Sequence, residues 1–173
     1  FTPLDDANLK QKVESLLQRC GFKSQGIYVM DGSRRSGHGN AYFTGLGNNK
    51  RIVFFDTLLN TLNEDQIEAV LAHELGHFRR KHVVKNMLMM AVMSLVGLAL
   101  LGWASTQTWF YTGLGVETQN NAIALILFML VIPVFSFFLH PLMTSMSRKY
   151  EFEADAYAAS VSNADDLITA LVA

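Results

Sequence analysis

The sequence predicts an α+β protein that is mostly helical, with a small antiparallel β-meander and an inserted hairpin of two apolar helices. Three observations predict this class. Short stretches rich in β-branched and aromatic residues alternate with turn-forming segments between residues 27 and 55. Apolar residues recur at helical spacing on both sides of that region. Two apolar runs, near residues 87–104 and 122–143, each approach the roughly 20 residues that cross a bilayer.

The first 55 residues are predicted to form one helix and then three strands. Thr2 and Pro3 favour a helix start, and this helix is expected to run to about Cys20. Its buried stripe would comprise Leu9, Val13, Leu16 and Leu17. The strands that follow, residues 27–30, 40–44 and 51–55, would form the β-meander.

Residues 73–77, His-Glu-Leu-Gly-His, are the most informative segment of the chain. They lie in a predicted helix with Asn63 as its N-cap and Gln66 placed to close a capping box. On an α-helix, residues four apart share a face. His73 and His77 are therefore expected to present their imidazoles side by side.

Two neutral imidazoles so placed can bind one Zn²⁺, and the carboxylate of Glu74 can reach a water molecule beside that ion. The spacing therefore favours a catalytic zinc site in which Glu74 acts as the base. The alternative is a chance match, in which the helix carries two ordinary surface histidines. A third protein ligand would separate these interpretations, because a catalytic zinc has three protein ligands and one open position.

A candidate third ligand lies in residues 151–155, Glu-Phe-Glu-Ala-Asp, in another segment of helical pattern. Glu151 and Asp155 are four apart and share a helix face. Glu151 can complete the ligand set, and Asp155 can accept a hydrogen bond from the far nitrogen of a zinc-bound histidine. Glu153 is expected to point elsewhere and is interpreted as a solvated charge.

The three remaining histidines are weaker candidates. His38 lies in a Gly-rich loop, where it could contact a substrate. The metal-motif helix is expected to continue to about His82, whose side chain would lie opposite His73, at a surface or an interface. His140 precedes Pro141 in an apolar segment and is kept only as a pocket-lining residue.

Composition limits the classes of function. The 173 residues are 50% hydrophobic and carry a net charge of −1, so no basic surface for nucleic acid is expected. The single cysteine, Cys20, cannot form a disulfide within the chain and is interpreted as a packed thiol. The chain begins at Phe1 without a visible signal peptide, so it is expected to be a piece of a longer protein.

The two apolar runs predict a transmembrane hairpin over about residues 83–146, with an external loop near residues 105–121. The alternative is a pair of buried core helices, but a chain this short would struggle to bury two helices that are apolar all round. The predicted loop contains no lysine or arginine. Basic residues instead flank the hairpin on both sides: Arg79, Arg80, Lys81, Lys85, Arg148 and Lys149. The positive-inside rule then places the metal motif on the cytoplasmic face of a multi-pass membrane protein.

Three motifs together resemble the integral-membrane CAAX prenyl protease family: residues 39–45, 73–77 and 147–155. The resemblance spans almost the whole chain. It implies a gluzincin, a metalloendopeptidase with a zincin-like core that trims prenylated protein C-termini. It also implies that one zinc ion is bound by His73, His77 and Glu151. Glu74 would then be the catalytic base, and Asp155 would support one of the ligands.

The resemblance further implies how a substrate is held. Asn40, Ala41 and Tyr42 would lie on the strand that pairs with the substrate backbone. Arg148 either stabilises the site or contacts substrate, although an arginine that snorkels from a membrane flank explains it equally well. The expected partners are membrane lipid and a peptide or protein substrate, with or without a lipid. The alternatives are broader membrane-protein quality control, a zinc-bearing scaffold without turnover, and a channel or helix-packing protein with a fortuitous motif.

The sequence therefore predicts that the chain divides into three parts. Residues 1–82 form the N-terminal part of the protease domain and residues 83–146 the hairpin. Residues 147–173 form the helix with the third zinc ligand and the start of a C-terminal helix. The two halves of the metal site are far apart in sequence, and the ends of the hairpin are expected to bring them together.

Overall fold

The computed structural model describes residues 1–33, 40–44 and 51–172, which form a mostly helical α+β protein. Its strands are β1 (Thr2–Pro3), β2 (Ile27–Met30), β3 (Ala41–Thr44) and β4 (Arg51–Phe55). Its helices are α1 (Ala7–Arg19), α2 (Asp56–Thr61), α3 (Glu64–Arg79), α4 (His82–Ser105), α5 (Thr108–Thr112), α6 (Asn121–Val161) and α7 (Ala164–Val172). The chain forms two compact units. The first unit is Phe1–Arg80 with Tyr150–Ala173, and the second unit is Lys81–Lys149.

The sheet of the first unit has the strand order β1-β2-β4-β3. β2 pairs with β4 in parallel, whereas β1 pairs with β2 and β3 with β4 in antiparallel fashion. The prediction of an antiparallel meander is therefore wrong, because β4 lies between β2 and β3. Burial explains the order. Ile52, Val53 and Phe54 are all almost inaccessible, as is typical of a central strand covered on both faces.

Thr2 and Pro3 form an edge strand, so the prediction that they begin a helix is wrong. Both residues pair with β2, and proline is tolerated there because an edge strand can lack one N–H donor. The helix begins only at Ala7, because the Asp6 carboxylate accepts hydrogen bonds of 3.0 and 3.1 Å from two N–H groups of the first turn. The predicted stripe of α1 is confirmed, since its four members are buried: Leu9, Val13, Leu16 and Leu17.

α3 carries the metal motif and starts with a capping box. The Asn63 side chain accepts a hydrogen bond from the Gln66 N–H at 2.9 Å, and the Gln66 side chain accepts one from the Asn63 N–H at 3.0 Å. The helix ends at Arg79, and Lys81 follows in the left-handed conformation with a φ of 56°. The predicted extension to His82 is therefore wrong. His82 begins α4, and its side chain is buried.

Within the first unit, α3 packs against α1, α7 and β3. Its inner face buries Ile67, Leu71 and Leu75, which join a core shared with α1 and the sheet. Burial of side chains of this size stabilises a fold by about 1.5–3 kcal/mol each. The core therefore holds α3 firmly by one side, while His73 and His77 lie at the edge of that side and remain partly exposed.

In the second unit, α4 is long and apolar enough to cross a membrane, and so is α6, by length and composition alone. Only 6% of the most apolar window of α4 and 11% of that of α6 is buried within the protein. Large apolar side chains such as Leu88, Leu98 and Phe137 are exposed as a result. Apolar surface of this extent marks a membrane or protein contact, so the packing argues against two buried core helices.

α6 continues through Pro133 and Pro141, so Pro141 does not end the helix that leads to Glu151. His140, predicted to line a pocket, is exposed on this helix. Its Nδ1 lies 3.4 Å from the hydroxyl oxygen of Thr144, one turn further along. The contact that the structure gives His140 is therefore local to α6.

The segment between α4 and α6, predicted to be an external loop, contains the short helix α5. Phe110 and Tyr111 of this helix are buried, and the Tyr111 hydroxyl donates a hydrogen bond to the Ser105 carbonyl oxygen at 2.9 Å. The rings of Trp103 and Trp109 lie 5.8 Å apart, with both side chains exposed. Exposed tryptophans at a helix end are typical of the boundary between membrane and water.

The capping box generates a first testable prediction. Replacing Asn63→Ala should lower the free energy of unfolding by about 0.5–2 kcal/mol, because an N–H group at the start of α3 loses its acceptor. Thermal or denaturant unfolding in detergent measures the change. Asn8→Ala, at an exposed position in the first turn of α1, is the matched control and should stay within about 0.5 kcal/mol. Equal effects of the two substitutions would contradict the capping role.

Candidate metal centre

His73 and His77 lie one turn apart on α3, with side chains 16% and 23% exposed. Their Nε2 atoms are 3.1 Å apart. Two ring nitrogens at this distance repel each other through their lone pairs unless a proton or a cation lies between them. The edge of the helix therefore presents a pair of donors that favours a bound cation.

Glu151 of α6 joins the two histidines in a group of three possible metal ligands among the described residues. Its Oε2 lies 3.5 Å from His73 Nε2 and 3.4 Å from His77 Nε2. In tetrahedral zinc sites, bonds near 2.0–2.1 Å place neighbouring donor atoms about 3.3–3.4 Å apart. The observed separations of 3.1–3.5 Å therefore fit a zinc ion with little rearrangement.

Asp155 orients one of the imidazoles. Its Oδ1 accepts a hydrogen bond from His73 Nδ1 at 2.8 Å. This bond places the ring proton on Nδ1 and leaves the Nε2 lone pair directed toward His77 and Glu151. The negative charge of the carboxylate also makes the ring a stronger donor to a metal. Glu153, on the same helix, does not belong to the group of three.

Glu74 is half-buried beside the three possible ligands. Burial raises the pKa of its carboxyl, the charges of His73 and His77 lower it, and the charge of Glu151 raises it again. The net direction is upward, because burial has the largest effect. Ionisation of Glu74 therefore lowers the stability of the folded protein unless a cation lies beside the carboxylate.

A contact that was not predicted from the sequence joins the C-cap of α1 to α3 and α6. The Arg79 guanidinium lies 5.7 Å from the centre of the Tyr157 ring, and Arg79 Nη1 donates a hydrogen bond to the Cys20 carbonyl oxygen at 3.4 Å. Cys20 is half-buried and packs at the margin of the core. No sequence signal identifies such a contact, because cation–π pairs have no fixed spacing along a chain.

β3, the predicted substrate strand, lies at the edge of the sheet and packs beside α3. The Phe55 N–H donates to the Asn40 carbonyl oxygen at 2.9 Å, so Asn40 and Tyr42 turn their main-chain groups toward β4. By the same alternation, Ala41 and Phe43 direct their main-chain N–H and C=O groups away from β4. Of the three predicted substrate residues, only Ala41 therefore has main-chain groups aimed at a potential partner strand. Phe43 shares the outward direction of Ala41, because the pairing register sets this alternation.

His38 and Arg148 are the remaining predicted substrate residues. His38 falls outside the described residues. Arg148 is exposed on α6, three residues before Glu151. Roles for both in substrate binding stay predictions.

Residues 3–173 match the model of peptidase family M48. CAAX prenyl protease 1 of Saccharomyces cerevisiae is 38% identical, over 99% of this chain and 42% of the relative. The human CAAX prenyl protease 1 homolog is 32% identical, over 99% of this chain and 44% of the relative. A crystal structure of S. mikatae Ste24p matches with a TM-score of 0.87 and 36% identity, over 99% of this chain and 44% of that one. The chain thus spans less than half the length of these relatives.

The hydrogen bond from His73 to Asp155 generates a second prediction. Asp155→Ala should weaken zinc binding roughly 10–100-fold, because the imidazole loses the partner that fixes its tautomer and orientation. Zinc affinity is measured by competition with a chromogenic chelator. Asp5→Ala, which removes an exposed carboxylate, is the control and should bind zinc like the wild type. Unchanged affinity in Asp155→Ala would contradict the role of Asp155.

The raised pKa of Glu74 generates a third prediction, for the protein stripped of metal by a chelator. Because folding raises the pKa, the carboxylate costs stability increasingly as pH rises from the ordinary glutamate pKa through the raised one. Glu74→Gln carries no such charge, so its stability advantage over the wild type should grow with pH across that interval. Unfolding midpoints between pH 4 and 8 measure it, with Glu14→Gln as the control at an exposed site. A difference in stability between wild type and Glu74→Gln that stays constant from pH 4 to pH 8 would refute the prediction.

Proposed function

Residues 3–173 belong to peptidase family M48, and from this we propose that the chain is the catalytic core of an integral-membrane zinc metalloendopeptidase. The observation that carries the proposal is the meeting of His73, His77 and Glu151 at 3.1–3.5 Å. Separate helices supply these donors, so local helix geometry alone does not explain their meeting. A zinc-bearing scaffold is less well supported, since structural zinc has four protein ligands and the described residues bring three together.

His73 and His77 would hold the zinc ion through Nε2, and Glu151 through a carboxylate oxygen. When bound, zinc would act as a Lewis acid that polarises a peptide carbonyl and lowers the pKa of a bound water molecule to about 7. Asp155 keeps the His73 ring in the tautomer that directs Nε2 into the site. The protein's own contribution at this point is a set of three ligand side chains that the packing of α3 and the end of α6 brings together.

Glu74 is the proposed general base. It follows His73 directly, is half-buried and does not belong to the ligand group. Its carboxylate takes a proton from the attacking water molecule and passes it to the departing amine. One water molecule is consumed and one peptide C–N bond breaks, while Glu74 returns to its starting state.

The proposed substrate-binding element is β3. Ala41 and Phe43 direct their main-chain groups away from β4, so an extended peptide laid beside β3 could form hydrogen bonds with both residues. Asn40 and Tyr42 would shape this region through their side chains instead. Main-chain pairing of this kind makes few demands on the substrate's own side chains.

The proposed substrate is a protein C-terminus that carries a prenyl lipid. The relatives in yeast and human bear the name CAAX prenyl protease 1. The exposed apolar surfaces of α4 and α6 would place the chain in a bilayer, where a prenylated tail also resides. The proposed orientation puts the metal centre on the cytoplasmic side, because basic residues flank the apolar segments and none lies in the α4–α6 connection.

The role of Glu74 generates a fourth prediction. Glu74→Gln should retain one zinc per chain and lose roughly 10²–10⁴-fold in the rate of peptide cleavage, because glutamine cannot accept the proton. Zinc content by elemental analysis and cleavage of a fluorogenic prenylated peptide are measured on the same detergent-purified sample.

Two further variants make that experiment decisive. Glu14→Gln, at an exposed site, should retain both zinc and activity. Glu151→Ala should bind zinc more weakly and lose activity, because it removes a ligand. A zinc-loaded Glu74→Gln protein that cleaves peptide at the wild-type rate would rule out Glu74 as the base.

A further inference from the structure

We propose that Gly76 is a positioning residue of the metal centre, where the absence of a side chain sets how closely α3 and α6 approach. This inference rests on the proposed function, because it concerns the reach of Glu151 to a zinc ion held by two histidines. No role for Gly76 was predicted from its place between His73 and His77 in the sequence. The structure points to a specific reason for glycine there.

The contact at Gly76 is made with the backbone of α6. A Cβ atom added at Gly76 would lie 2.9 Å from Ala154 Cα, 3.0 Å from the Ala154 carbonyl oxygen and 3.3 Å from Ala154 Cβ. Ordinary contacts of a Cβ atom begin near 3.4 Å. Ala154 is completely buried, and its backbone belongs to a helix. A methyl group at position 76 would therefore have to move a helix, since no flexible side chain is there to yield.

The same contact lies at the centre of the proposed site. Gly76 is three residues after His73 and one before His77, while Ala154 is three residues after Glu151 and one before Asp155. The two helices therefore touch between the groups that must meet across them. A change in helix separation at this point passes almost directly to the distances from Glu151 to the imidazoles and from Asp155 to His73.

The required movement is large on the scale of metal coordination. Relief of the contact at 2.9 Å needs several tenths of an ångström, whereas ligand distances in metal sites are held within about ±0.2 Å. The two histidines would keep their mutual geometry, because both belong to α3. The expected result of a side chain at position 76 is thus a site that retains the histidine pair and loses Glu151.

Another glycine of the chain provides a matched control. Gly97 lies in α4, and a Cβ atom there would meet nothing within 4 Å. Gly76→Ala and Gly97→Ala make the same chemical change in a helix interior, with the same gain in helix propensity. They differ in the contact that the new methyl group would make.

The test compares metal binding by wild type, Gly76→Ala and Gly97→Ala in the full chain in detergent, well below their unfolding temperatures. Zinc affinity is measured by chelator competition, and Co²⁺ is used as a spectroscopic probe. Gly76→Ala should bind zinc roughly 10–100-fold more weakly. Its Co²⁺ complex should lose the strong visible absorption of a four-coordinate site, because an ion held by two histidines alone takes up several water molecules and becomes six-coordinate. Gly97→Ala should match the wild type in both measurements.

A second variant keeps the proposal testable if Gly76→Ala does not fold. Glu151→Asp shortens the ligand by one methylene group at a position whose side chain is 52% exposed, and it leaves the helix contact intact. It should also weaken zinc binding by at least about tenfold, because the shorter ligand falls short of the metal. Undiminished affinity would overturn the proposal, since ligand reach would then not limit binding.

The outcomes separate this inference from the proposed function. A wild-type protein that binds no zinc overturns the proposed function itself. A wild type that binds zinc tightly, together with a folded Gly76→Ala variant of equal affinity and equal Co²⁺ spectrum, overturns only the role of Gly76. Weak binding by Gly76→Ala beside normal binding by Gly97→Ala supports it.

Discussion

The candidate metal centre depends on how closely the last part of α6 approaches α3, because the polar groups of the centre are divided between these two helices. His73 and His77 are held relative to each other by a single helical turn. Glu151 and Asp155 reach them only across the helix contact, at distances of 2.8–3.5 Å. Hydrogen bonds and metal bonds both weaken steeply when such distances grow. The packing of the first unit therefore decides whether the chain has a site at all.

Apolar burial supports that contact more than surface charge does. The core of the first unit joins α1, the sheet and α3 to the end of α6 and to α7, where Leu167 is buried. Two ion pairs also link α1 to α3 at the surface, Lys12 with Asp65 and Arg19 with Glu68. Exposed pairs of this kind contribute at most about 1 kcal/mol, less than one buried leucine. A rigid apolar support is also what preorganised metal ligands require.

Local signals in the sequence predicted the elements whose causes are local. The Asn63 capping box and the stripe of α1 each depend on residues within a few turns. The two apolar runs depend only on composition. The errors arose where distant partners decide the outcome. Thr2 and Pro3 became a strand because β2 offers an edge, and β4 takes a central place in the sheet, where Ile52, Val53 and Phe54 are buried.

The sequence by itself determined which groups are available for chemistry: two imidazoles one turn apart, a carboxylate between them, and a second pair of carboxylates one turn apart. Helical periodicity is enough for this, because it fixes relative positions within one element. Only the tertiary structure decided that Glu151 meets both imidazoles and that Asp155 meets His73. It also decided that the main-chain groups of Ala41 are directed away from β4. The distance between two elements depends on the side chains packed between them. At Gly76 the close approach of α3 and α6 depends on the absence of a side chain.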